Sequence, residues 1–302
     1  MNTPLHDYIR PGIVHFMAFP ECAKGEGPVL ETVEQIICDP FFEAIEITHI
    51  ASDDVRRRVR ERCDQARVEL LFGAQPMLLG GGLDLNHPDK AERDKAIAKI
   101  QKAIDEAAGI GVRSVALLSG KAVAPFDQAR ARLIESLKRI CAYGRECGVD
   151  ILLETFDRVP FGKHCLIGPT EEAVEVSAAI REEFPAFGLL LDLSHLPLIG
   201  ESAIDAIAVA GEHLVHVHIG NCAMDDPNHP AYGDNHPRFG ASGTRNDVPE
   251  LTEYLRVLFD TGYLSPAERK IVSFEVKPMP GEDALAVIAG NKRTLVEAWR
   301  RV

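Results

Sequence analysis

The sequence predicts a (β/α)8 barrel, an α/β fold, and three observations carry that expectation. Eight short apolar or β-branched runs recur along the 302 residues, amphipathic helical stretches separate them, and no linker or low-complexity segment breaks the alternation. Runs of near-continuous hydrophobicity fit strands buried on both faces, as in a parallel sheet covered by helices. Eight strand–helix units in order close a barrel. A doubly wound sheet is the competing arrangement. The number of strands, and the lack of a Gly-rich phosphate turn after the first, favour the barrel. The expected organisation is a single domain over residues 1–302.

In chain order the strands are expected at 12–19 (GIVHFMAF), 42–48 (FEAIEIT), 68–74 (VELLFGA) and 112–118 (VRSVALL), then at 149–156 (VDILLETF), 187–193 (FGLLLDL), 213–219 (HLVHVHI) and 270–276 (KIVSFEV). The clearest helix is 88–111. Ala96, Ile97, Ile100, Ile104 and Ala107 make its apolar stripe, Pro88 suits its first turn, and Gly109 or Gly111 ends it. The stretch 124–148 repeats the design. The stretch 168–184 is expected to start from a Thr170 cap, with Glu171 and Glu172 in the first turn. Further helices are expected at 28–38, 52–66, 201–210, 247–262 and 281–301, with Trp299 of the last packing on the barrel exterior.

Composition narrows the partners. With 33 basic and 46 acidic residues the net charge is -13, which disfavours nonspecific binding to nucleic acid or anionic membranes. Seven scattered cysteines include no CxxC pair, so neither a disulfide framework nor a thiolate zinc site is expected. The stretch MNTPLHDYIRPG has no signal-peptide core, and no long apolar run of membrane-spanning length occurs. Free thiols and these absences together point to a cytoplasmic protein.

The C-terminal strand ends and the loops after them build the site in such a barrel. Glu154 ends the fifth strand, Asp192 the sixth, and His218 and Glu275 lie near the ends of the seventh and eighth. Alone, each carboxylate reads as solvated or salt-bridged. Together, three carboxylates and an imidazole suit a hard or borderline divalent ion: Mn, Mg, Co or Zn. Without one, the carboxylates would repel and some would protonate. His216 alternates with His218 in VHVHIG, lies deeper in its strand, and reads as a core histidine.

The fragments ILLETFD, LLLDLSHL, VHVHIGN and VSFEVKP, with the passage from LNHPDKAERDK to VRSVALLSG, resemble the xylose isomerase-like TIM-barrel superfamily in order and spacing. That group contains sugar isomerases and epimerases, dehydroshikimate-type dehydratases and the endonuclease IV enzymes. By this resemblance Glu154, Asp192, His218 and Glu275 match the single-metal ligands of the ketose 3-epimerases, and the two glutamates match the acid/base pair. His195 matches a substrate-contacting histidine. Met224 stands where the epimerases usually carry a substrate-holding arginine. From the endonuclease side, His195, Asp234 and His236 match a further metal half-site, whereas Gln75 and Ser119 stand where that branch has the histidines of a trinuclear centre.

Softer candidates complete the set. The segment YGDNHPRFGASG reads either as a polar turn or as a wall of the substrate site. His15, expected on the first strand, faces either the mouth or the core. Glu46 is expected to bind sugar hydroxyls or to cap a loop. Lys163 and Arg238 suit an anionic substrate group, although solvent exposure is ordinary for such residues. The resulting expectation is a metal-dependent sugar, sugar-phosphate or sugar-acid isomerase or epimerase working through an enediolate. The alternatives are a dehydratase of a polyhydroxy carboxylate, an endonuclease-like hydrolase, and a non-catalytic polyol-binding barrel. The sequence leaves the oligomeric state open, and a homodimer is one option because barrels of this group often pair.

Overall fold

The computed structural model describes residues 4–302, so the first three residues of the stretch read above for a signal peptide lie outside it. Eight parallel strands form a closed barrel in chain order. They are β1 (Ile9–Val14), β2 (Ala44–Ile47), β3 (Glu69–Gly73), β4 (Ser114–Leu118), β5 (Asp150–Glu154), β6 (Gly188–Asp192), β7 (Leu214–Gly220) and β8 (Lys270–Glu275). The ring closes where β8 pairs with β1, Gly12 opposite Ser273. A Cβ at Gly12 would lie 2.4 Å from Ser273 Oγ, so this seam needs glycine. Among the described residues no helix is long and apolar enough to cross a membrane.

The helices are α1 (His15–Ala18), α2 (Val29–Ile37), α3 (Asp53–Ala66), α4 (Gln75–Leu79), α5 (Lys90–Gly109) and α6 (Phe126–Cys147), followed by α7 (Thr170–Arg181), α8 (Leu196–Ile199), α9 (Ala203–Ala210), α10 (Val248–Asp260) and α11 (Ala284–Arg301). Apolar faces of the long helices pack on the outward side chains of the barrel, such as Leu153, Leu191, Val217 and Phe274. Trp299 is buried in α11, its ring 5.6 Å from that of Tyr8.

Three local expectations change. The first strand runs from Ile9 to Val14, so Pro11 is inside it and His15 is not. Pro11 lacks an N–H but still accepts from Glu43 N at 2.8 Å, which keeps the strand tied to the segment before β2. Thr170 is the first residue of α7 rather than its cap. Its hydroxyl and N–H both donate to the carboxylate of Glu201, at 2.5 and 2.9 Å. At α5 the cap is Asp89, which accepts from Ala91 N, and Pro88 precedes it; Gly109 ends the helix as expected.

Residues two apart on a strand share a face. Inside the barrel, Ala116, Leu152 and Leu190 form a small apolar cluster separate from the outer core. Glu154 and Asp192 come two residues after Leu152 and Leu190, so this cluster floors the chemistry above it. Leu190→Ala should therefore lower stability by about 2–5 kcal/mol. The check is urea unfolding, with a lower midpoint and an unchanged slope.

Candidate functional site

Glu154, Asp192 and Glu275 are the last residues of β5, β6 and β8, and His218 lies two before the end of β7. Register holds them together, with Asp192 opposite His218 and Gly220 opposite Glu275. One donor atom of each of the four lies within 4.8 Å of those of the other three. All are buried, Glu275 least at 7% exposure. Gly220 makes the approach feasible: a Cβ there would stand 2.7 Å from Glu275 O, 3.1 Å from His236 Nδ1 and 3.2 Å from Asp192 Oδ1.

Neighbouring groups fix each side chain. Gln75, which opens α4 with one residue between it and the end of β3, donates Nε2–H to Glu154 Oε2 at 2.6 Å. Glu154 Oε1 is buried and has no hydrogen-bond partner. The nearest imidazole nitrogens are His195 Nδ1 at 3.8 Å and His218 Nδ1 at 3.9 Å. Asp192 accepts from Ser194 N at 2.8 Å and from Ser194 Oγ at 2.6 Å, a local turn that ends the strand and aims the carboxylate. His218 Nδ1 is 2.6 Å from Glu275 Oε2. An orphaned buried acceptor costs free energy unless something meets it. A donor set of three carboxylates and one imidazole around that oxygen fits a divalent cation.

A second cluster adjoins the first. His195 Nε2 and His236 Nε2 point at the same oxygen, Asp234 Oδ1, at 3.1 and 2.7 Å. Their other nitrogens face backbone carbonyls: His195 Nδ1 is 2.7 Å from Thr155 O, and His236 Nδ1 is 3.2 Å from Glu275 O. A carbonyl only accepts, so each Nδ1 carries hydrogen, while each Nε2 is engaged by the Asp234 carboxylate. His236 holds a left-handed backbone, φ 49°, uncommon outside glycine and a form of strain found at functional sites. Asp192, His195 and His236 also bring donor atoms within 4.8 Å of one another.

Burial, then the charge of Glu275, push the Glu154 carboxyl up to about 8. Burial acts the same way on Glu275, but the facing His236 and His218 outweigh it and leave that carboxyl at about 2. Burial also raises Asp192. The imidazoles shift upward although burial opposes it: Glu46 and Glu275 hold His218 well above the usual range, Asp234 does the same for His195, and Asp234 with Glu275 brings His236 to about 9. Asp234 and Glu46 stay well below the carboxylate range because their histidines outweigh burial.

The remaining candidates divide. Lys163 is half-buried rather than solvated, with Nζ donating to Asp234 O at 2.9 Å and lying 3.2 Å from Asp234 Oδ2. Glu46 caps no loop; it lies inside the barrel against His216 and His218. His15 opens α1 beside Thr32 Oγ1 at 2.8 Å, and burial lowers it to about 4, so it packs as a neutral core histidine. Arg238 is held by Glu282 at 2.8 Å and does not join the cluster. Gln75 and Ser194 are the contributors that residue type alone did not flag. Their signal is position, the second residue after β3 and the second after the carboxylate of β6.

A family model described as xylose isomerase-like TIM barrel matches residues 39–291. A curated relative, D-psicose 3-epimerase from Ruminiclostridium cellulolyticum, is 30% identical over 96 residues, 32% of this chain and 31% of that protein. The alignment thus spans about a third of that relative's length. Among solved structures, L-ribulose 3-epimerase superposes with a TM-score of 0.73 at 18% identity, covering 97% of this chain and 96% of the other. D-psicose 3-epimerase with D-tagatose from Clostridium cellulolyticum H10 gives 0.70 at 19% identity, covering 95% and 99%. At such identities the likeness establishes the fold.

The shifts predict how the chelator-treated protein responds to pH. Glu154 and His236 are raised in the folded state, so the native chain binds more protons than the unfolded one between about 4.5 and 8 for the first and about 6.5 and 9 for the second. Stability must fall as pH rises through those windows. The melting temperature in EDTA should therefore decline from pH 6 to pH 9, as read by a calorimetric pH series.

Proposed function

The chain belongs to the xylose isomerase-like TIM barrel family, and we propose that within it the protein is a metal-dependent sugar or sugar-acid isomerase or epimerase. The single observation that carries the proposal is the convergence of Glu154, Asp192, His218 and Glu275 at four successive strand ends. The relatives support it by their names, as ketose 3-epimerases. One divalent ion, Mn, Mg, Co or Zn, would be held by those four side chains. When bound, such an ion supplies positive charge to oppose the negative charge that develops on substrate oxygens during proton transfer.

The chain's own groups do the rest. One of Glu154 and Glu275 removes a proton from the carbon beside the carbonyl, and the other returns one. Gln75 occupies Glu154 Oε2, which leaves Oε1 as the oxygen with a lone pair to offer. Asp192, braced by Ser194, and His218 supply fixed donors. His195, oriented by the carbonyl of Thr155, presents Nε2 to a substrate hydroxyl. Burial of all these groups keeps bulk water from the proton in transit.

A second reading concerns His195, Asp234 and His236. Their two Nε2 atoms aimed at one carboxylate oxygen also suit another cation. Elemental analysis separates the readings: one bound equivalent per chain fits the epimerase-like centre, and two fit the additional half-site.

Glu154→Gln and Glu275→Gln should each lower turnover at least about 100-fold while leaving the melting temperature near that of the parent. Activity is read as solvent deuterium entering an otherwise unchanged sugar or sugar acid. Release of water instead would mark a dehydratase, and cleavage of abasic DNA a hydrolase. Chelator-insensitive polyol binding without turnover would mark a binding protein. Full exchange activity in both variants rejects the assignment.

A further inference from the structure

We propose that Glu46 is the positioning residue that makes His218 a ligand, by holding the hydrogen on Nε2 so that Nδ1 faces Glu154, Asp192 and Glu275. This rests on the metal reading above and extends it to a residue that reading does not use.

Glu46 is on β2 and His218 on β7, strands that are not neighbours, so their side chains meet across the barrel interior. Glu46 is 2% exposed. Its Oε1 lies 2.8 Å from His216 Nε2, and both its oxygens lie 3.1 Å from His218 Nε2. An ionised carboxylate only accepts hydrogen bonds, so each imidazole nitrogen facing it must carry hydrogen. A neutral imidazole has a single N–H. In the metal-free chain Nδ1 of His218 also faces carboxylates, 2.6 Å from Glu275 Oε2 and 3.9 Å from Glu154 Oε1, and carries hydrogen; a bound ion would displace that hydrogen, leaving the ring with its one hydrogen on Nε2. Metal-bound histidines are commonly fixed in this way through the nitrogen away from the ion.

His216 is the brace. Its ring meets that of His218 at 85°, with centroids 5.1 Å apart, so the two N–H groups reach the carboxylate from different directions and stop it turning. The VHVHIG alternation is what puts both rings on the inner face.

Glu46, His216 and His218 also bring three donor atoms within 4.8 Å, which raises the alternative of a cation among them. Two N–H groups on one carboxylate account for this cluster completely, and neither Glu46 oxygen is orphaned. Among the carboxylates of the four-residue cluster, Glu154 is the one with an oxygen left bare, Oε1.

The test titrates the metal-free chain with Mn2+ by calorimetry. Wild type should take up a tight equivalent. Glu46→Gln, the same shape without the charge, should bind about 10- to 100-fold more weakly at the same stoichiometry, with the metal-free melting temperature retained. His216→Phe should weaken binding less, and the double variant should be no weaker than Glu46→Gln alone, because both act through one carboxylate. In the Zn2+-loaded chain, long-range 1H–15N spectra should place the His218 hydrogen on Nε2, slow to exchange in wild type and fast in Glu46→Gln.

Unchanged Mn2+ affinity in Glu46→Gln, or hydrogen on Nδ1 of His218 in the Zn2+-loaded chain, overturns the inference while leaving the metal reading intact. Loss of a whole equivalent in Glu46→Gln overturns it in favour of a cation at Glu46. A wild type that takes up no Mn2+ removes the metal reading and this inference with it. If Glu46→Gln does not fold, His216→Phe decides alone, and an affinity equal to wild type counts against the role.

Discussion

The carboxylates of Glu46, Glu154, Asp192, Asp234 and Glu275 and the imidazoles of His195, His216, His218 and His236 are buried together at one end of this barrel, and the compensation of their charge is the constraint from which the local structure follows. Ionised groups out of water are tolerated only when paired or hydrogen-bonded. The chain meets that demand with named partners: Gln75 for one oxygen of Glu154, Ser194 for Asp192, Lys163 for Asp234, and backbone carbonyls for the Nδ1 atoms of His195 and His236. The demand is left unmet most plainly at Glu154 Oε1. That exception lies amid the densest set of donors, as expected where a fold gives up local satisfaction for function.

The site has two kinds of support. Glu154, Asp192, His218 and Glu275 belong to strands, where pairing register sets their relative heights. Lys163, Asp234 and His236 belong to the segments after β5 and β7, which reach each other across the mouth. Phe161 and Tyr232 stack there with centroids 4.7 Å apart, beside the contact of Lys163 with Asp234. Binding groups on loops over a rigid catalytic frame are a general arrangement, because loops change without disturbing the barrel.

Much of this was legible in the sequence because a buried parallel strand announces itself. Continuous apolar runs gave eight strands, and a polar residue ending such a run marked Glu154, Asp192 and Glu275 as inward groups at the barrel mouth. Boundaries were harder. GIVHFMAF stays apolar past Val14, so nothing in its hydrophobicity tells that the chain turns helical at His15. The start expected at Gly12 is three residues after the real one at Ile9. Partners across the barrel were hidden for a different reason: Glu46 and His218 are 172 residues apart, and no local period encodes their meeting. Arg238 and Lys163 looked alike as cations near the mouth, yet one is taken by Glu282 and the other by Asp234, a choice made by loop geometry.

Gly220 carries a last implication. Since the three atoms crowding its missing side chain belong to separate segments, one added methyl would spread the cluster from its middle rather than displace a single group. In a mutational scan this position should behave as though it bore a reactive side chain, intolerant even of alanine, despite contributing none. Emptiness here is a component of the machinery, and a search restricted to residues with functional groups would pass over it.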